Sequence, residues 1–355
     1  MRQIKTPFMD GVPYLTQCPI PYGEKFRYAF HADDVGTHFY HSHSGHQKID
    51  GVYGALIVRE TINQIPNQQF YDFDMPEHVI LASDWMHQMA DNHLPGMMRR
   101  FILHINLSFL KFQETTEAVT SAPLTVFNVQ KGMKYRFRII NAGINVCPFQ
   151  FQIEKQNFNV IATELSYIEP VAADTLHFLS GERFDIVIDA NLQSRDYWIR
   201  VKELAPCLKE IEGFAILRVH QNAVRKASSV EFNDLVVPLF KDEYPMKAVF
   251  NSINLHFTHT SNLTSNFTWY LTHLLLPTVS CLPEGIFTIL YLNSSVEIVA
   301  INTLDKISHP LHLHGHKFHV LDSGLLEDKI DLSFEELANL NISKTNPDRP
   351  PFKDT

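Results

Sequence analysis

Apolar and polar residues alternate along this chain in short runs. In Lys134-Tyr135-Arg136-Phe137-Arg138-Ile139-Ile140, the side chains at 135, 137 and 139 fall on one face and the basic ones on the other. A period of two predicts a half-buried strand of a β-sandwich. Similar runs, rich in aromatic and β-branched residues and ended by Gly, Pro, Asn or Asp, cover Lys25–Phe30, Gly54–Val58, His78–Ala82, Phe184–Ile188, Tyr197–Val201 and Val296–Ile301. No helical period is sustained, and no glycine loop suited to a phosphate is present. Both absences weigh against Rossmann and P-loop architectures. The pattern predicts an all-β protein.

A length of 355 residues corresponds to two or three domains. The polar, Gln- and Asn-rich stretch Thr61–Phe73 reads as a linker, and the texture changes again near Gln221–Phe232. The expected segments are 1–60, 75–220 and 232–355. A complete β-sandwich takes about 100 residues, so the first segment is expected to be a partial one. The last ends in Pro350-Pro351-Phe352-Lys353-Asp354-Thr355 with no closing strand, and it too is expected to be partial.

Charge narrows the partners. Thirty basic residues against 39 acidic ones give a net charge of −9, which argues against nucleic acid or an anionic membrane as the main partner. The richest apolar stretch, Trp269–Leu290, is interrupted by Thr272, His273, Pro277 and Pro283-Glu284-Gly285, so no membrane-spanning segment is expected. The first residues lack the apolar core of a signal peptide. Cys18, Cys147, Cys207 and Cys281 form no CxxC pair, which disfavours a zinc knuckle or a thioredoxin-type site. One or two disulfides would suit an oxidising compartment, with reduced structural thiols as the alternative. Acceptor triplets for N-glycosylation at Asn106, Asn262, Asn266, Asn293 and Asn341 point the same way, to a secreted chain.

The chemistry lies in the histidines, of which there are 19. They cluster in Thr37-His38-Phe39-Tyr40-His41-Ser42-His43-Ser44-Gly45-His46-Gln47 and in Ser308-His309-Pro310-Leu311-His312-Leu313-His314-Gly315-His316-Lys317-Phe318-His319. Each holds a His-x-His pair, whose imidazoles on a strand share one face. Pro310 cannot donate a ladder hydrogen bond, so His309 is free to face a different site from His312 and His314. One such pair is ordinarily a surface feature, but two, each followed by a glycine turn, point to metal. Imidazole donors suit copper, zinc or iron. A zinc hydrolase sets carboxylates beside its histidines. The first cluster has Ser44 and Gly45 there instead, which fits copper better.

His41-Ser42-His43 followed by Gln47, together with His309-Pro310-Leu311-His312-Leu313-His314-Gly315, resembles two of the four copper signatures of the multicopper oxidases. Met9-Asp10-Gly11-Val12-Pro13, Thr16-Gln17-Cys18-Pro19-Ile20, Gly36 to Gly45 and Asp50 to Val58 are similar to the insect laccase branch. So are Tyr135 to Asn141 and Ser180-Gly181-Glu182-Arg183-Phe184-Asp185. The resemblance implies three cupredoxin-like Greek-key β-sandwich domains, the first and third incomplete here. It implies a type-1 copper in the third domain and a trinuclear copper cluster between the first and third. A phenolic or metal-ion reductant would supply electrons one at a time, and dioxygen would be reduced to water. By motif, His41 and His43 would bind the paired type-3 coppers with His314, His312 the type-2 copper, and His309 the type-1 copper. His38, His46, His316 and His319 match no ligand and read as surface groups or as supports behind the ligands. Glu164 and Glu169 fall where an acidic turn orients the reductant; the plainer reading is a solvated loop carboxylate.

Two departures from the family pattern matter. The cluster takes eight histidines from four motifs, and His-Trp-His-Gly and His-Cys-His are absent from the 355 residues. None of the four cysteines lies between two histidines, so the type-1 thiolate is absent too. The expectation is therefore a laccase-type, copper-dependent oxidoreductase whose present chain is an incomplete fragment, inactive alone. The rival is a non-catalytic secreted β-sandwich binding protein with remnant copper histidines; a zinc-dependent hydrolase is a third possibility.

Overall fold

A computed structural model describes residues 5–14, 16–60, 65–85, 89–93, 102–105, 124–144, 147–204, 212–222, 248–249, 268–271, 295–298 and 312–316. Its strands are β1 (Gly36–His41), β2 (Tyr53–Val58), β3 (Phe73–Trp85), β4 (Ile102–Ile105), β5 (Val126–Gln130), β6 (Lys134–Asn141), β7 (Phe149–Ile153) and β8 (Phe158–Thr163). They continue as β9 (Ser166–Ala173), β10 (Thr175–Phe178), β11 (Arg183–Asp189), β12 (Asp196–Glu203), β13 (Glu212–His220), β14 (Ala248–Val249), β15 (Thr268–Leu271) and β16 (Ser295–Ile298). Among the described residues the only helices are short 3-10 turns, and no helix is long and apolar enough to cross a membrane. The all-β expectation holds.

The chain divides into two compact units. Met1–His259 with Ile307–Phe318 forms one, and Thr260–Lys306 with His319–Thr355 the other. In the second, β15 pairs with β16 in parallel.

The first unit is organised by two six-stranded sheets, ordered β14-β10-β7-β12-β13-β5 and β4-β3-β6-β11-β8-β9. Inward residues of both make one core. Phe137 and Ile139 of β6, Ile186 and Ile188 of β11 and Val160 of β8 face Phe151 of β7, Ile199 and Val201 of β12 and Leu217 of β13. Aromatic edges lock this layer: the Phe127 and Phe137 ring centroids are 5.7 Å apart at 68°, and those of Phe149 and Phe178 6.0 Å apart at 88°. A separate two-stranded hairpin, β1–β2, pairs antiparallel from Gly36↔Val58 to His41↔Tyr53 and packs against β6 and β11.

That packing corrects the reading of Lys134–Ile140 as half-buried. Every residue of β6 after Lys134 is buried, Arg136 and Arg138 included. Alternation put the guanidiniums on the outer face; the hairpin then covers that face. Their charge is met by buried carboxylates. Asp185 Oδ2 accepts hydrogen bonds from Arg136 Nε at 3.1 Å, from Arg136 Nη2, and from Arg138 Nη1 at 3.3 Å. Its Oδ1 accepts from the Thr37 hydroxyl at 2.6 Å. Arg138 also donates to Thr37 Oγ1 at 2.8 Å and, through Nη2, to Asp74 Oδ2 at 2.5 Å. Arg136 Nη1 donates to the Tyr71 and Tyr167 hydroxyls, both at 3.1 Å. Thr37 belongs to β1, so this polar layer seats the hairpin on the sandwich.

Three further expectations shift. Lys25–Phe30 forms no ladder among the described residues, and its aromatic side chains Phe26, Tyr28 and Phe30 are exposed. Its alternation specifies an amphipathic strand, but a strand needs a neighbour for its backbone groups. The stretch read as a linker is structured from residue 65. Buried Asn67 donates to the Ile161 and Ile168 carbonyls at 2.9 and 3.2 Å, Tyr71 is buried, and β3 begins at Phe73. Of Val296–Ile301, residues 296–298 lie in β16 and the rest lie outside the described residues.

Burial pushes the Asp185 carboxyl up, but the Arg136 and Arg138 guanidiniums and the Thr37 hydroxyl outweigh it and hold it below the usual carboxylate value. Asp185→Ala leaves two buried guanidiniums short of their carboxylate, and the expected loss is about 3–5 kcal/mol by urea unfolding at pH 7. The folded value is depressed, so this stabilisation is complete above the unfolded value of about 3.9 and is lost as pH falls through the folded value. The gap between the native chain and Asp185→Asn therefore narrows below about pH 4; a gap constant down to pH 2 contradicts the assignment.

Candidate metal centre

β1 ends at His41, and the chain turns through Ser42–Gly51 before entering β2. The turn is held from several sides. Ser42 Oγ donates to Gln47 Oε1 at 2.5 Å and accepts from Ser44 N–H at 3.1 Å, and Ser42 N–H donates to the Val52 carbonyl at 2.9 Å. From the sandwich side, the Ala90 N–H donates to Asp50 Oδ1 at 2.9 Å, and His46 Nδ1 meets Asp91 Oδ1 at 3.0 Å. Gly51 adopts φ +95°, and a Cβ there would stand 2.7 Å from the Trp85 ring.

This turn meets residues 312–316 in the same compact unit. His43 Nε2 and His314 Nε2 lie 3.3 Å apart, with ring centroids 4.8 Å apart at 75°. The His41 ring stacks on His43 at 4.4 Å and 30°, and His312 stands perpendicular to His314 at 5.6 Å. Four imidazoles from two clusters, separated by 271 positions between His43 and His314, form one continuous group. Neither pair sits wholly within a strand: His43 follows the end of β1, and residues 312–316 form a turn. Gly315 takes φ +71° there, and a Cβ on it would stand 3.3 Å from the Asp10 carboxylate.

The second nitrogens are committed. His41 Nδ1 lies 3.0 Å from the Ser42 carbonyl, which can only accept, so this nitrogen carries the proton and Nε2 the lone pair. His314 Nδ1 lies 2.6 Å from Asp10 Oδ2, which directs its own Nε2 at His43. An imidazole that donates one N–H to a carbonyl or carboxylate and presents the other nitrogen is the usual form of a metal-ligating histidine. Two nitrogens 3.3 Å apart also match the edge of a tetrahedron whose metal–nitrogen bonds are about 2.0 Å. The group fits a divalent or monovalent metal ion on its donor chemistry. Among the described residues no group of three or more His, Cys, Asp or Glu side chains is placed so that it could hold a metal ion.

Burial keeps three of these imidazoles neutral. Burial lowers His41 to about 4, against the opposing Ser42 carbonyl, and Lys48, His43 and His312 add to the lowering. Burial also lowers His312 to about 4, helped by His314 and Arg183, and lowers His43, helped by His314 and Lys48 and opposed by Asp10. At neutral pH these rings hold lone pairs.

The other candidates separate. His309 and His319 lie outside the described residues. His38 is buried, not on the surface, with Nε2 2.7 Å from the Asp34 carbonyl, and burial lowers it to about 4. His316 Nδ1 bonds the His314 carbonyl at 3.0 Å and so backs the turn. Glu164 is not a free loop carboxylate. It takes φ +55° at the β8–β9 turn, pairs with Arg183 and accepts from the Arg183 N–H at 3.3 Å. Glu169 is exposed on β9. Asp10 was missed, because no spacing rule connects it to a histidine 304 positions away. Cys147 is buried and disulfide-bonded, whereas Cys18 is free and exposed.

Comparison with known proteins follows the same line. Three family models, each described as multicopper oxidase, match residues 1–62, 76–222 and 253–355. Laccase-2 of Botryotinia fuckeliana is 28% identical over 389 residues, covering 98% of this chain and 64% of the relative. Laccase-2 of Fomitopsis schrenkii is 30% identical over 358 residues, covering 90% and 66%. The chain thus spans just under two-thirds of the length of these relatives. Among solved structures, the laccase from Botrytis aclada aligns with TM-score 0.50 and 28% identity over 64% of this chain and 42% of that one. Fet3p, a multicopper oxidase that functions in iron import, aligns with TM-score 0.52 and 19% identity over 74% of this chain and 47% of that one, a likeness of fold.

Gly51→Ala meets both an unfavourable φ and the Trp85 ring, and is expected to destabilise the chain by about 1–3 kcal/mol. It should also speed proteolytic cleavage within residues 42–52; an unchanged melting temperature and cleavage rate would show that the turn tolerates a side chain there.

Proposed function

We propose, for a chain that belongs to the multicopper oxidase family, that His41, His43, His312 and His314 are copper ligands and that the protein contributes to a laccase-type oxidoreductase. The observation that carries the reading is the meeting of His43 and His314 at 3.3 Å, with their ring neighbours neutral and His41 and His314 anchored at Nδ1. Copper supplies one-electron transfer from a reductant to dioxygen. The reductant class is a diphenol or a related donor, including a metal ion. Four one-electron oxidations balance the four electrons and four protons that convert one dioxygen to two waters.

The chain's own residues have distinct tasks in this reading. His41, His43 and His314 would hold the type-3 coppers, His312 the type-2 copper and His309 the type-1 copper. Asp10 fixes the His314 tautomer and strengthens its lone pair. The segments 1–60, 75–220 and 232–355 correspond to three cupredoxin-like domains, of which the second is the sandwich that carries the hairpin. The disulfide at Cys147 fits an oxidising, extracellular location.

Within the 355 residues no cysteine lies between two histidines, and Cys147 is tied up in its disulfide. The polypeptide 1–355 by itself is therefore proposed to bind copper without laccase turnover. Purified and titrated with copper, it should show neither an intense blue thiolate-to-copper band nor catechol oxidation. His41→Ala and His312→Ala should each abolish the residual binding, and Asp10→Ala should weaken it about 10–100-fold. Binding unchanged in the histidine variants would favour a non-catalytic binding protein. A blue band with turnover would refute the inactive-fragment reading.

A further inference from the structure

Lys48 stands in the turn between His43 and β2, and its side chain points inward rather than to water. It is only partly exposed. Its Nζ donates to Ser180 Oγ at 3.4 Å, and the Ser180 hydroxyl itself donates to the Gly143 carbonyl. The ammonium lies 5.5 Å from the centroid of the Phe39 ring. Phe39 in turn stacks on His41 at 5.2 Å and 27°, and His41 stacks on His43 at 4.4 Å. A cation, a benzene ring and two imidazoles thus follow one another in a row. Among the described residues Lys48 forms no ion pair; burial lowers its pKa, and the Asp84 carboxylate, acting at longer range, raises it.

A lysine kept for solubility extends into water, where its field is screened. This one is anchored by Ser180, and the material between it and His41 is an aromatic ring. We propose that the Lys48 ammonium biases a copper ion held at His41 and His43 towards Cu(I), acting through its charge and not as a ligand. The inference rests on the copper reading of those imidazoles. Its physical basis is that Cu(II) carries one more positive charge than Cu(I), so a fixed cation disfavours the oxidised ion more. At roughly 10 Å and an effective dielectric of about 20, one unit of charge difference amounts to about tenfold in a binding constant. Lys48 is therefore a positioning residue in the electrostatic sense: it sets the preference of the site without touching the metal.

The test uses the chain 1–355 with copper alone. Cu(I) affinity is measured anaerobically by competition with bicinchoninate, and Cu(II) affinity by competition with nitrilotriacetate. Lys48→Met is expected to raise the Cu(II)-to-Cu(I) affinity ratio on the order of tenfold, and Lys48→Arg to restore it to within about threefold of the native ratio. Asp84→Asn removes the opposing charge and is expected to move the ratio the other way, which keeps the test decisive should Lys48→Met fail to fold. If Lys48→Met weakens both ions in parallel, Lys48 has only a packing role and the inference is overturned. A ratio that moves towards Cu(I) overturns it as well. If the native chain binds neither ion, the copper reading falls and this inference falls with it, an outcome distinct from a parallel loss in the variants.

Discussion

The arrangement depends on one buried carboxylate. Asp185 sits between two guanidiniums and a threonine hydroxyl, and the threonine belongs to the strand that ends in His41. A buried ion pair gains little over well-packed apolar residues, but breaking one is costly. Such a layer is therefore a poor glue and a good locator. An apolar interface tolerates a sliding hairpin; this one has a single register in which every donor finds its acceptor. Arg183 adds a second tie at the same place, donating from Nε to the Thr37 carbonyl at 3.1 Å. Four residues further along β1, His41 inherits that position.

The same logic runs through the turn that follows. Asp50, His46, Lys48 and Gly51 each meet a residue of the sandwich, at Ala90, Asp91, Ser180 and Trp85. Tyr53 continues the series with a hydrogen bond to Ser83. The loop bearing His43 is thus fastened along its length to a rigid scaffold, which is what a ligand loop requires if its imidazole is to wait at a fixed point. On the far side the turn at His314 is stabilised by Gly315 and by Asp10, which comes from the opposite end of the sequence. Imidazoles so distant along the chain gain their mutual geometry from the fold, not from local spacing.

Much of this was legible from the residues. Period-two alternation located β3, β6, β11 and β12, each of which has a face in the common core, and left the other strands of the two sheets unmarked. The two His-x-His clusters marked the four imidazoles that the fold brings together. Three things were not legible, each for a physical reason. Alternation reports which side chains share a face but not what covers it, so Arg136 and Arg138 read as solvent-facing until β1 was seen over them. Lys25–Phe30 has the composition of a strand, but pairing is a property of two segments, and one segment cannot announce its partner. Asp10 and Lys48 act on the imidazoles from positions that no motif links to them, and only tertiary structure brings a carboxylate to one histidine and an ammonium near another.

Those two charges make the sides of the centre unlike. Asp10 draws on the Nδ1 proton of His314 and makes its Nε2 a stronger donor, which under the proposed copper reading would favour the more highly charged ion. Lys48 lies beyond Phe39 and His41 and opposes positive charge there. His43 feels both, since the ammonium lowers its pKa and the carboxylate raises it. A field running from Lys48 to Asp10 therefore crosses the imidazole group from the His41 end to the His314 end. The available nitrogen is an imidazole's throughout, so the difference between the two ends comes from the surrounding charges. With copper bound as proposed, these charges alone would distinguish otherwise equivalent positions, and a single-charge substitution on either flank would change that distinction.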